Sequence, residues 1–156
     1  MKWLVWALVV VIGVFVAKRF MSNGSGYDEN VAAGQLFLDQ NQQHESVVVT
    51  ESGLQYQYLE RGQGEVHPQA SDKVEVHYHG TLIDGKIFDS SVDRKQTIEF
   101  GVTQVIKGWQ EGLQLMVVGD KVRFTIPSDL AYGKRSAGSI PPGSVLVFDV
   151  ELIAIK

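Results

Sequence analysis

Cysteine is absent from this chain of 156 residues. That excludes disulfides and thiolate chemistry, and it leaves the redox compartment open. No cluster of Lys and Arg is present either, and the formal net charge is −4. A surface that tracks nucleic-acid phosphates is therefore not expected. The chain has no glycine-flanked serine of the nucleophile-elbow kind, no phosphate-binding glycine loop and no repeat at solenoid spacing. No cofactor is implied. Apolar residues make up 44% and charged residues 21%, ordinary values for a globular protein. The length suits one domain with a real core plus an appendage.

The appendage is amino-terminal. Trp3 to Ala17 is an apolar run with a single glycine, preceded by Lys2 and followed by Lys18-Arg19. If those two cations snorkel, residues 3–21 span roughly 28 Å as a helix, enough for a thin bilayer. A cleaved signal peptide is the competing reading, but Phe15-Val16-Ala17 is a poor small-x-small site. A buried soluble helix would need a polar face, which the run lacks. The expectation is a membrane anchor over residues 1–21. It would be a single pass through a bacterial inner membrane, with the large carboxyl-terminal part on the periplasmic side. The nearly balanced flanking charges weigh little on orientation.

Residues 22–46 read as a linker and a marginal helix. Ser22-Asn23-Gly24-Ser25-Gly26 is flexible by composition. Val31 to Gln43 can be helical, with Ala32, Ala33, Leu36 and Phe37 as a weak apolar face. From Val47 the period changes to two. Tyr56 and Tyr58 alternate with Gln55 and Gln57; Val74, Val76 and Tyr78 with Glu75, His77 and His79; Ile98 and Phe100 flank Glu99. Val122, Phe124 and Ile126 alternate with Lys121, Arg123 and Thr125; Leu146, Phe148, Val150 and Leu152 with Val147, Asp149 and Glu151. These are half-buried antiparallel strands, apolar inward and polar outward. Asp84-Gly85 marks a hairpin and Gly119-Asp120 another turn. Val105, Ile106, Trp109, Leu113 and Met116 recur at three- and four-residue spacing, one amphipathic helix over Val105 to Met116. The expected fold for residues 47–156 is α+β, a twisted antiparallel sheet wrapped around one short helix, with a transmembrane helix at the amino terminus. A cleft should open where Val105-Ile106 meets the rim of the sheet.

The densest stretch runs from Val76 to Ser91. It puts Tyr78 and Phe88 on either side of a tight turn, with the carboxylate of Asp89 directly after. An aromatic cleft with one acid at its lip suits a reaction that breaks no covalent bond. Further blocks follow in order: Val105-Ile106-Lys107-Gly108-Trp109, Ala131-Tyr132-Gly133, Ile140-Pro141-Pro142 and Leu146 to Leu152. From about Thr50 to Lys156 this series resembles the FKBP-type peptidyl-prolyl isomerases, the macrolide-binding immunophilins. The lead-in Thr50-Glu51-Ser52-Gly53-Leu54-Gln55-Tyr56 resembles the bacterial branch that includes macrophage-infectivity-potentiator-like proteins. Those carry long dimerising helices, for which residues 27–46 are too few.

The resemblance implies rotation about X–Pro bonds in polypeptide clients, and macrolide inhibitors as further ligands. It implies Trp109 as the floor under the proline ring, with Tyr78, Phe88, Ile98, Val105, Ile106 and Phe148 as walls. The Ile106 N–H and the Tyr132 hydroxyl would hold substrate carbonyls, Asp89 would sit at the rim and Ile140 would line the flap. The catalytic set is then Tyr78, Asp89, Trp109 and Tyr132. The chain departs from the family at Lys134 to Ser139, a small basic flap, and at Ile98, where an aromatic is common. For a lone tryptophan, plain core packing is the default; the matching positions reverse that preference. A non-catalytic module that grips proline-containing segments, as a chaperone or adaptor, stays open as the alternative. His77 and His79 share a strand face with Glu75, and His67 could approach, half of a metal site. A solvated outer face is the plainer reading, so no metal is expected. Ser90 and Ser91 beside Asp89 do not make a hydrolase without a placed base.

Overall fold

The structure, a computed structural model, describes residues 24–156. The expected anchor over residues 1–21 lies outside the described residues. Among the described residues, no helix is long and apolar enough to cross a membrane. Seven strands among the described residues form one antiparallel sheet: β1 (Val48–Val49), β2 (Gln55–Glu60), β3 (Lys73–Leu82), β4 (Ile87–Ser90), β5 (Ile98–Gly101), β6 (Lys121–Ile126) and β7 (Leu146–Ile155). The spatial order is β1-β2-β6-β7-β3, after which β4 and β5 share the outer edge of β3. β5 pairs with Lys73 to Val76 and β4 with His79 to Thr81. Residues 91–97 leave the sheet between them, and this break carries a site residue described below.

The period-two reading holds along the central strands. Val74, Val76 and Tyr78 are buried while Glu75, His77 and His79 are partly exposed; β7 alternates in the same way over Leu146 to Leu152. The turn at Asp84-Gly85 is closed by Gly85 N donating to the Leu82 carbonyl at 2.9 Å, with Gly85 at φ 88°. The core helix is shorter than expected. Helix α2 is Lys107–Leu113, while Val105 and Ile106 precede it in extended geometry and Met116 lies beyond its end. All three are buried, so their spacing reported burial correctly and helix only in part.

The amino-terminal region departs further. Helix α1 is Gly24–Asn41, so residues 24–26, expected as linker, are helical. Of the predicted apolar face only Phe37 is half-buried. Ala32, Ala33 and Leu36 are exposed, and the stripe turned to the domain is Tyr27, Asn30, Gly34, Phe37, Leu38 and Asn41. The carboxyl-terminal end of this mixed stripe, Leu38 and Asn41, lies against the outer side of β2 and β6. Asn41 Nδ2 donates to Gln55 Oε1 at 2.7 Å, and Gln55 Nε2 donates to the Leu38 carbonyl at 3.0 Å. Gln55 and Thr125, expected outward and polar, are consequently buried. Their polarity is satisfied by the helix that covers them, which makes the burial affordable only as a set.

Helix α2 approaches the sheet closely at Gly112. A methyl group there would come within 2.6 Å of Phe124 Cε1, on a buried ring. Alanine favours a helix over glycine by up to about 1 kcal/mol, whereas overpacking a core costs about 1–3 kcal/mol. Gly112→Ala should lower stability by about 1–2 kcal/mol in chemical denaturation. An unchanged midpoint would mean that the contact is slack.

Candidate active site

β3 supplies Tyr78, β4 supplies Phe88 and Asp89, β7 supplies Phe148, and α2 supplies Trp109. Tyr78, Trp109 and Phe148 are fully buried and meet mostly edge to face. Ring centroids are 5.6 Å apart for Tyr78–Trp109, 6.2 Å for Tyr78–Phe148 and 5.1 Å for Trp109–Phe148. Half-buried Phe88 extends the cluster, 5.3 Å from Phe148. Phe100 on β5 adds a ring that the sequence reading left as core, 5.5 Å from Trp109. Gly80 makes room for this layer, since a methyl there would lie 2.6 Å from Phe88 Cζ and 2.8 Å from Phe148 Cε1.

A polar trio borders the aromatic layer. Tyr78 Oη donates to Asp89 Oδ2 at 2.5 Å. Arg94 Nη1 donates to Asp89 Oδ1 at 2.5 Å, and Arg94 Nη2 donates to Tyr78 Oη at 2.9 Å. Both carboxylate oxygens are thus engaged. Arg94 is a site residue that sequence reasoning missed. It sits in the 91–97 break, where an arginine in a polar loop looks like any solvated charge. Ser91 holds that break to β3 through its side chain and its backbone: Ser91 Oγ accepts from Tyr78 N at 2.7 Å, and Ser91 N donates to the Tyr78 carbonyl at 2.9 Å.

Burial, and then the negative charge of Asp89, push the Tyr78 phenol well above its ordinary value; the same two causes raise Tyr132. Burial alone would make Arg94 easier to deprotonate, but its bonds to Tyr78 and Asp89 outweigh that and hold its charge more firmly. Two buried groups have no hydrogen-bond partner among the described residues, Arg94 Nε and Trp109 Nε1.

A cleft of about 580 Å³ opens at the start of α2, lined by residues 103–107 on one side and Asp129, Ala131, Tyr132, Gly133 and Arg135 on the other. It takes in Val105, Ile106 and Tyr132 of the expected set. The Ile106 N–H, just ahead of the helix, makes no hydrogen bond among the described residues. Ile98 and Ile140 are buried in the same apolar cluster as Trp109. The histidines lie elsewhere, on the outer face: His77 Nδ1 is 2.9 Å from Ser91 Oγ and His79 Nδ1 is 2.8 Å from Ser90 Oγ. Among the described residues, no group of three or more His, Cys, Asp or Glu is placed to hold a metal ion.

Comparison with known proteins places this geometry. Residues 64–153 match the family model described as FKBP-type peptidyl-prolyl cis-trans isomerase, and residues 11–57 match the domain amino terminal to it. The FKBP-type peptidyl-prolyl cis-trans isomerase FkpA of Aeromonas hydrophila is 56% identical over 82% of this chain and 47% of its own length. Outer membrane protein MIP of Legionella longbeachae is 44% identical over 90% of this chain and 60% of its own. The crystal structure of FkpA from Escherichia coli superposes with a TM-score of 0.80 at 44% identity, covering 85% of this chain and 62% of that one. The chain therefore spans about half to two-thirds of the length of these relatives.

The raised phenols have a consequence for stability. In an unfolded chain, tyrosine ionises near pH ~10. A group whose pKa is higher in the folded state contributes stability that is whole below that value and is lost as pH rises past it, at up to about 1.4 kcal/mol per pH unit. Between about pH 9 and 11, wild type should lose more denaturation free energy than Tyr132→Phe. Parallel losses would place the Tyr132 hydroxyl in solvent.

Proposed function

The chain belongs to the FKBP-type peptidyl-prolyl cis-trans isomerases, and from that premise we propose that its cleft accelerates X–Pro rotation in polypeptide clients. The observation that carries the reading is the aromatic layer of Tyr78, Trp109 and Phe148 bordered by an acid whose two oxygens are already engaged. Rotation about a peptide bond meets a barrier of about 18–20 kcal/mol, set by amide resonance. In the twisted transition state, nitrogen loses conjugation and the carbonyl loses dipolar character. Water solvates the planar amide better, so dry aromatic walls favour the twisted one. This is differential binding of the transition state, with no proton transfer. Each tenfold in rate needs about 1.4 kcal/mol, within reach of a few contacts.

In this proposal, Trp109 is the floor beneath the proline ring, and Tyr78, Phe88, Ile98, Val105, Ile106 and Phe148 are its walls. The unpaired Ile106 N–H and the Tyr132 hydroxyl hold substrate carbonyls, and Ile140 lines the flap. Asp89, tied to Tyr78 and Arg94, orients the Tyr78 ring and sets the local field. Macrolides that fill the same walls should compete with peptide substrate.

The proposal extends to the amino terminus. Residues 1–21 tether the isomerase domain, 47–156, to a bacterial inner membrane, with the domain periplasmic and residues 22–46 joining the two. The unbroken apolar run from Trp3 to Ala17 supports a tether, and so does likeness to a relative named for an outer membrane. The full chain should stay with the membrane fraction through alkaline carbonate washing, and a carboxyl-terminal fusion reporter should register outside the cytoplasm. Release by the wash, or a cytoplasmic reporter signal, would overturn the tether or its orientation.

Activity is tested in a protease-free assay on X–Pro peptides. The protein should accelerate isomerisation, and Asp89→Asn should lower kcat/KM by about tenfold, the scale of one charge-assisted hydrogen bond. A wild-type rate no better than that of Trp109→Ala combined with Asp89→Val would overturn the isomerase reading.

A further inference from the structure

Helix α1 reaches past the sheet to the loop that follows Tyr132. That loop is closed at its neck, where Gly143 N donates to the Gly133 carbonyl at 2.8 Å. Its tip is closed by Ala137 and Ile140, each donating its N–H to the other's carbonyl, at 3.0 and 2.8 Å. Tyr132 stands one residue before the neck, and Ile140 lies within the loop. The positions of both groups therefore depend on how firmly the neck is held.

α1 lies against that neck. Asn30 Nδ2 donates to the Pro142 carbonyl at 2.8 Å, across 112 positions of sequence. A methyl group on Gly143, itself at φ 75°, would meet the Tyr27 carbonyl oxygen at 2.8 Å. One turn further on, a methyl on Gly34 would meet Val145 Cγ2 at 2.7 Å, so the helix backbone rides directly on the chain leaving the loop. The Lys134 ammonium, at the other side of the neck, lies 5.6 Å from the centroid of the Tyr27 ring. Pro141 and Pro142 have no N–H, so the chain cannot secure itself here by donating from those two residues; the Asn30 bond supplies an outside hold.

We propose that α1 is a positioning strut for the 133–143 loop, with Asn30 as the positioning residue that sets Tyr132 and Ile140 for substrate. This rests on the isomerase reading and deepens it. The strut raises the fraction of molecules whose loop is arranged to bind, and apparent affinity scales with that fraction. Substrate access would thus be tuned by a helix that touches none of the aromatic walls.

The test compares wild type with Asn30→Ala and Asn30→Asp in the full chain. Alanine is the better helix former, so a helix-only effect would stabilise. Aspartate keeps the size but cannot donate. Amide exchange is read at Arg135, Ala137, Ile140 and Gly143, with Val150 in β7 as the reference. Both variants should exchange about three- to tenfold faster in the loop, the reach of one hydrogen bond, with Val150 unchanged. Their kcat/KM on X–Pro peptides should fall by about threefold or more, with the loss in KM rather than kcat. Unchanged loop exchange overturns the strut. Faster exchange with unchanged kcat/KM overturns the positioning role, and equal acceleration at Val150 shows a merely structural contact. If wild type shows no isomerase activity, the earlier reading fails, while loop exchange still decides whether α1 holds the neck.

Discussion

Trp109 touches three strands at once. Its buried ring meets Tyr78 on β3, Phe100 on β5 and Phe148 on β7, at centroid distances of 5.6, 5.5 and 5.1 Å. The helix that carries it has seven residues, far below the length at which a helix is stable alone in water. α2 therefore exists because its tryptophan is packed, and it starts where the tryptophan puts it. Two extended residues, Val105 and Ile106, follow from that start, and with them one wall of the cleft. The edge-to-face contacts constrain orientation as well as distance, because ring edges are attracted to ring faces and an eclipsed face-to-face sandwich is not favoured. One side chain thus fixes the helix, the aromatic layer and the cleft together.

The second organising constraint is the divided edge of β3. A continuous partner strand would have carried residues 91–97 onward along β3, past Tyr78. Instead β4 ends at Ser90, the chain leaves the sheet, and β5 resumes pairing at Ile98. The excursion brings Arg94 back onto the residue five positions before it. The trio is complementary: one carboxylate accepts, one phenol both donates and accepts, and one guanidinium donates to each. Removing either ion would leave its partner, the buried Asp89 or the half-buried Arg94, without its counter-charge, which costs far more than the pair contributes net. This explains why an acid can sit at the border of an aromatic layer without dissolving it.

The sheet and its core could be read from the sequence because hydrophobic alternation is a direct record of burial. Val74, Val76 and Tyr78 face inward as their period requires, and Trp109 lies where its spacing puts it. At α1 the same logic holds only for Phe37. Its docking stripe of Asn30, Gly34 and Asn41 bonds to polar partners and approaches through a missing side chain, neither of which a hydrophobic pattern records. The burial of Gln55 and Thr125 escapes alternation for the same reason, since it depends on Asn41, 14 and 84 positions away on another element. Arg94 was illegible because its role depends on a break in a strand. Alternation finds the faces of a sheet and says nothing of where an edge strand stops.

The serines bear on what chemistry the site can support. Ser91 Oγ accepts from Tyr78 N and lies 2.9 Å from His77 Nδ1, and Ser90 Oγ accepts from Asp93 N and lies 2.8 Å from His79 Nδ1. Both hydroxyls are committed to holding the strand break against β3. A nucleophile must be free to move toward its electrophile, and neither serine is. Asp89 is equally committed, and burial together with Asp89 keeps the phenols of Tyr78 and Tyr132 protonated. The aromatic side of the site therefore offers shape, low polarity and a fixed field, and no loosely held proton. A covalent mechanism would be starved there. A twisted amide needs no proton moved and is stabilised by a dry wall, so it is the transition state to which this arrangement is best matched.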